Sequence, residues 1–221
     1  MGFPGRQAAH TMAAVSESWE ALMFGGIVET VGEIGKATPV GKDLRVSITA
    51  HRLDLSDVKP GDSIAVNGVC LTVTGLGRGA FEADVSRETL NCTSGFAQKD
   101  KVNLEKALRL SDRVNGHLVS GHVDGVGKVA KFERTGECYL LAIKAPRGLA
   151  KYISRKGSIA VNGVSLTVNK VEGSEFSVNL IPHMLASTNL RYLKRGAKVN
   201  LEADLLARYA EQLLQGVPRR L

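Results

Sequence analysis

Hydrophobic and polar positions alternate in short runs along most of this chain. LRVSITA (Leu44–Ala50), SIAVNG (Ser63–Gly68), CLTVTGL (Cys70–Leu76) and FEADV (Phe81–Val85) show period-two alternation or β-branched enrichment, with Gly, Asp and Pro between them. Such runs predict half-buried strands. Asn67-Gly68 and Asn162-Gly163 each sit between two runs, where an Asn-Gly pair predicts a tight hairpin because both residues tolerate positive φ. Helical signals are few: a short segment near Arg87–Cys92, its counterpart after Pro182, and a stretch opened by Pro146. Asp204 precedes LLARYAEQLL, in which Leu205, Leu206, Tyr209, Ala210 and Leu213 share one helical face.

The pattern is written twice. SIAVNGVCLTV (Ser63–Val73) returns as SIAVNGVSLTV (Ser158–Val168), and the single difference is Cys70 against Ser165. The same offset carries Val28–Gly32 onto Val123–Gly127, Phe81 onto Phe176 and Leu90 onto Leu185; KVNLE at Lys101–Glu105 recurs at Lys198–Glu202. The period is the size of a domain and too long for a solenoid repeat, so the chain is an internal duplication. Several short strands per copy predict a mostly β protein: two similar small antiparallel, Greek-key-like β-barrels plus a C-terminal α-helix. The expected divisions are an extension at 1–22, a first barrel at 23–116, a second at 117–203, and an oligomerisation helix with tail at 204–221.

Alternation also orients side chains. A small barrel fills with apolar groups, so Leu71 and Val73 should point inward and Cys70, Thr72, Ser165 and Thr167 outward. A ligand touching them would lie in a groove on the barrel wall, against another barrel. Between the repeats, symmetry breaks at Cys70 against Ser165, His122 against Ile27, Asp84 against Asn179 and Asp204 against Ala107. A thiol, an imidazole and two carboxylates suit nucleophilic addition and proton transfer.

Composition narrows the classes. The net charge is +7, but Lys and Arg are scattered and aromatics are 5% of 221 residues, too few for the stacking platforms of a nucleic-acid binder. No apolar run reaches the roughly 18 residues of a membrane span. The three cysteines have neither C-x-x-C spacing nor a histidine at finger spacing, so no metal site is expected, and their odd count suits a reducing cytoplasm. Cys92 and Cys138 read as inert core residues, and His10 and His51 as surface histidines. The first 22 residues lack signal-peptide and myristoylation patterns and read as a mobile extension.

MFGGIVE (Met23–Glu29), NGVCLTV (Asn67–Val73), SRETL (Ser86–Leu90), GHLVSGHVD (Gly116–Asp124), NGVSLTV (Asn162–Val168), LIP (Leu180–Pro182) and VNLEAD (Val199–Asp204) together resemble the alpha-chain type of riboflavin synthase, in order, over residues 23 to about 214. The resemblance implies a cofactor-free, cytoplasmic dismutation. One 6,7-dimethyl-8-ribityllumazine donates a four-carbon unit to another, giving riboflavin and 5-amino-6-(D-ribitylamino)uracil. It also implies a homotrimer, one lumazine per barrel, a productive site between the first barrel of one subunit and the second of its neighbour, and association with lumazine synthase. A non-catalytic lumazine or flavin carrier of the same fold is the rival reading.

Carried over residue by residue, the resemblance places Phe24 by the active site. One ligand is expected at Gly26, Ile27 and Val28, at Cys70, Leu71 and Thr72, and at Asp84, Val85, Ser86, Arg87, Glu88 and Thr89. The second is expected at Gly121, His122 and Val123, at Lys156, at Ser165, Leu166 and Thr167, and at Leu180, Ile181, Pro182, His183, Met184 and Leu185; His183-Met184 stand where the family usually has Glu-Thr. Cys70 or Ser63 adds to the acceptor ring or positions water on it, His122 moves the proton of the acidic ring methyl, and Ser165, Thr167 and Asp204 orient ring and ribityl groups.

Overall fold

A computed structural model describes residues 23–215, and the alternating runs of the sequence are its strands. The extension expected over residues 1–22, His10 and the last six residues of the tail lie outside the described residues. The first repeat forms β1 (Thr30–Val40), β2 (Asp43–Thr49), β3 (Ser63–Val66), β4 (Val69–Gly77), β5 (Ala80–Val85), the short helix α1 (Arg87–Cys92) and β6 (Lys101–Lys106). The second forms β7 (Gly125–Thr135), β8 (Cys138–Lys144), α2 (Arg147–Ala150), β9 (Ser158–Val161), β10 (Val164–Glu172), β11 (Glu175–Leu180), α3 (Pro182–Ser187), a 3-10 turn at Asn189–Tyr192 and β12 (Lys198–Ala203). Helix α4 (Leu205–Gln215) follows. Each repeat closes on itself in the same antiparallel order, β1-β2-β5-β4-β3-β6 and β7-β8-β11-β10-β9-β12.

The Asn-Gly hairpins form where the sequence places them. Asn67 and Gly68 have φ of 51° and 76°, Asn162 and Gly163 of 48° and 78°, so both central residues of each turn are left-handed. Leu71 and Val73 point into the first core and Leu166 and Val168 into the second, while Thr72 and Thr167 are exposed and Cys70 and Ser165 half-buried on the outer wall. The two cysteines expected in a core lie elsewhere. Cys92 is exposed at the end of α1, its thiol donating to Glu88, and Cys138 is half-buried at the start of β8; neither belongs to a core. Both stand at element ends, where alternation no longer dictates burial.

A buried amide network fastens the barrels together. Asn103 Nδ2 donates to the carbonyl of Asn162 at 2.9 Å, and Asn200 Nδ2 to that of Asn67 at 3.0 Å. Asn189 bridges back to the first barrel through Asn103 Oδ1 (2.7 Å) and Asn67 Oδ1 (2.8 Å). Each such bond nets only about 1 kcal/mol, but leaving a member unpaired costs about 1–3 kcal/mol, so the network fixes one relative placement of the barrels.

Candidate active site

The residues preceding each barrel do not stay on it. Phe24 and Val119 exchange backbone bonds (2.8 and 3.0 Å), forming an antiparallel pair of arms between the barrels. From there the arms cross. The Gly26 carbonyl accepts the N–H of Ser165 at 2.8 Å, on the second barrel, and the Gly121 carbonyl accepts that of Cys70 at 2.9 Å, on the first. Val28 packs against the second core and Val123 against the first. Glycine is required at both crossings: φ is +70° and +78°, and an added Cβ would come within 2.7 Å of Ser165 Cβ or 2.6 Å of Cys70 Cβ.

The crossing re-sorts the expected pockets. Gly26, Ile27 and Val28, assigned with Cys70, lie instead with Ser165; Gly121, His122 and Val123, assigned with Ser165, lie with Cys70. The carried-over grouping follows chain order, each arm with the barrel it precedes, whereas the backbone pairing exchanges them. The backbone pairing of Cys70 with Gly121 thereby brings exposed His122 to the wall of the first barrel that carries Cys70.

Other expected residues divide by the direction of their side chains. Leu71, Val85, Leu166 and Leu180 are core residues, so only their backbone can line a wall pocket. Phe24 is fully buried in a small cluster with Ala65, Val119, Ala160 and Cys70, which makes it a support beneath the site. Asp84 is held below the usual carboxylate range by a two-pronged bond to Arg45 (2.7 and 2.8 Å), so it is already occupied. Ser86 caps α1 by accepting the Thr89 N–H at 3.1 Å, leaving Arg87 and Glu88 exposed and Thr89 half-buried on that rim. On the second barrel Lys156, Ile181, Pro182 and His183 are exposed, and Met184 and Leu185 pack partly on the core.

Ser63 is buried beside the Cys70 thiol, its hydroxyl without a well-formed hydrogen bond among the described residues, on a cleft of about 1240 Å³ between the first barrel and residues 107–115. Such a hydroxyl is a ready contact for a polar ligand. Burial pushes the Cys70 thiol up, against the weak hydrogen bond from Ser63 that opposes it, which keeps the thiolate scarce near neutrality. Asp204 accepts the Leu206 N–H at 3.0 Å at the start of α4.

Two functional candidates escaped assignment from sequence, and a third, His117, is left open by it between a structural and a catalytic role. His117 Nδ1 lies 2.7 Å from Ser165 Oγ, its Nε2 is buried without a partner among the described residues, and burial lowers its pKa although the charge of Asp204 opposes this. Glu105 and Glu202, both nearly inaccessible, hold the two arms by their backbone N–H groups. Their signal was present: each is the charged last residue of a repeated KVNLE in which alternation is suspended.

Comparison with known proteins bears directly on these pockets. A family profile described as the lumazine binding domain matches residues 25–107 and again 120–204. The chain is 48% identical to a riboflavin synthase of Photobacterium phosphoreum over 87% of its length and 89% of the relative's, and 39% identical to that of Bacillus subtilis over 87% and 90%. Among solved structures it is similar to LumP complexed with riboflavin (TM-score 0.76) and to LumP complexed with 6,7-dimethyl-8-(1'-D-ribityl) lumazine (TM-score 0.74). Each is 28% identical, covering 82% of this chain and 99% of the other.

Proposed function

This chain belongs to the riboflavin synthase family, with two lumazine binding domains, and from that premise we propose that each crossed wall holds one 6,7-dimethyl-8-ribityllumazine. Its activity is that of a riboflavin synthase, a transferase. The reaction is a dismutation in which one lumazine gives up four carbons to the other. The products are riboflavin and 5-amino-6-(D-ribitylamino)uracil, so what one substrate loses the other gains. Two identical substrates are matched by two pockets of common descent. The observation that carries this reading is their inequality: Cys70 with His122 on one wall, Ser165 with Ile27 and His117 on the other.

That inequality assigns roles. On the first wall His122 is exposed and takes the proton of the acidic ring methyl. Cys70, kept as a thiol by burial, contacts the ring or positions water on it, and Ser63 offers its hydroxyl. On the second wall Ser165, oriented by His117, and exposed Thr167 hold the other ring, with Asp204 near His117 at the helix start. Holding two reactants together removes a large entropic barrier, with effective molarities of about 10⁵–10⁸ M in favourable cases.

The productive site lies between the first barrel of one subunit and the second of its neighbour in a homotrimer. Helix α4 supports this: Leu206, Tyr209, Leu213 and Leu214 are each at least 66% exposed in the single chain. The test is incubation with dimethylribityllumazine and a chelator while riboflavin fluorescence is followed. Riboflavin without added metal or nucleotide supports the dismutation; binding without riboflavin would identify a carrier.

A further inference from the structure

Two buried carboxylates remain unused by this account, and they are equivalent in the two repeats. Glu105, near the end of β6, accepts the Gly25 N–H on Oε1 at 2.7 Å and faces the N–H groups of Gly26 and Ile27. Glu202, in β12, accepts the Ser120 N–H (2.6 Å) and hydroxyl (2.7 Å) on Oε1 and the Gly121 N–H (3.0 Å) on Oε2. Among the described residues neither has a cation as a hydrogen-bonded partner; their partners there are the backbone of the arms and the Ser120 hydroxyl. Burying a carboxylate is costly, and several N–H donors aimed at it offset that cost while fixing the donors in place. What they fix is a stretch of chain with few other ties: Glu29 and Asp124 rejoin their own barrels, accepting the N–H groups of Lys106 and Ala203 at 2.7 Å each. Beyond those points the arms reach across.

We propose that Glu105 and Glu202 are crossed positioning residues: each holds the arm that leaves its own barrel and thereby sets the pocket wall of the other barrel. Glu105 of the first barrel places the Gly26 carbonyl on Ser165, and Glu202 of the second places Gly121 on Cys70 and His122 beside it. This rests on and deepens the two-pocket reading, and the crossed coupling exists without substrate. The two pockets are coupled mechanically through one pair of arms, so that loosening one barrel's carboxylate is felt at the other barrel's site.

The experiment is peptide-resolved hydrogen exchange on the full chain without ligand, comparing E105A, E105Q, E202A and E202Q with the parent. Exchange of the Ser165 amide should rise about tenfold or more in E105A, and that of the Cys70 amide similarly in E202A, since each loses an acceptor shared by several backbone N–H groups. The Gln variants keep one acceptor oxygen and turn an amide N–H toward a backbone N–H, so they should fall between parent and Ala. Alkylation of Cys70, followed on its own peptide, should accelerate in E202A and not in E105A. If an Ala variant does not fold, the matching Gln variant carries the same crossed pattern. Turnover of E202A should fall chiefly in kcat, with E202Q between it and the parent. Loosening confined to the mutated residue's own barrel, or unchanged exchange at both amides, would overturn the proposal. Because exchange is read without substrate, it stands or falls separately from the assigned reaction.

Discussion

Cys70 is the residue at which the two repeats declare themselves different, and its surroundings say how. Burial raises the thiol, His122 arrives from the other repeat, and the pseudo-equivalent Ser165 meets Ile27 instead. Cys70→Ser makes the walls more alike and should lower kcat more than it raises KM, because a contact needed mainly in the transition state is read in the rate. Equal turnover at saturating substrate would make the difference incidental. A second residue-scale prediction concerns pH. Burial, aided by the charge of Glu29, pushes Glu105 up to about 7. A carboxyl raised on folding contributes stability that is complete below its unfolded value and lost as pH rises through the folded one. Between pH 4.5 and about 7 the parent should therefore lose up to about 3 kcal/mol of unfolding free energy that E105Q does not lose. Parallel urea titrations at pH 5 and pH 8 check this, and identical pH slopes would contradict it. The wall positions Cys70, Thr72, Ser165 and Thr167 were legible in sequence, since alternation fixes direction. The carboxylate clamps left only the suspended alternation of KVNLE as a signal, because a charged residue in a strand reads as surface until its backbone partners are known.

At the scale of elements, strands and hairpins followed from period-two alternation and Asn-Gly pairs, and the helix after Asp204 from its apolar stripe. The crossing of the arms did not. MFGGIVE and LVSGHVD have no periodicity, and only the pairing of Gly26 with Ser165 and of Gly121 with Cys70 shows where they lie. Gly121→Ala places a Cβ against Cys70 at a positive φ; it should cost about 1–3 kcal/mol and slow riboflavin formation, with substrate binding at the second wall retained. Helix α4 is tied to its own barrel by polar groups, Arg208 to Asp124 and both Lys151 and Tyr152 to Glu211, which leaves the stripe outward. Eleven residues are too few to persist unaided, since isolated helices below about 12–15 residues are marginal in water. Truncation after Asp204 should give folded monomers that bind lumazine and make little riboflavin, as sedimentation and a fluorescence titration would show. An active monomer would contradict the assembly, and an unfolded one would place the helix in the core.

At the scale of the whole molecule, duplication, exchanged arms and the amide network produce two unlike walls held in one rigid relation. A site between chains predicts something a site within one chain cannot do. Chains carrying C70A and H122A lose the first wall, and chains carrying S165A and H117A lose the second. Mixed after dissociation and reassembly, each kind supplies the wall that the other lacks. Riboflavin formation, low in either variant alone, should reappear in the mixture at a fraction of the parent rate. No recovery from mixed assemblies shown by mass to contain both chains would contradict a site between chains.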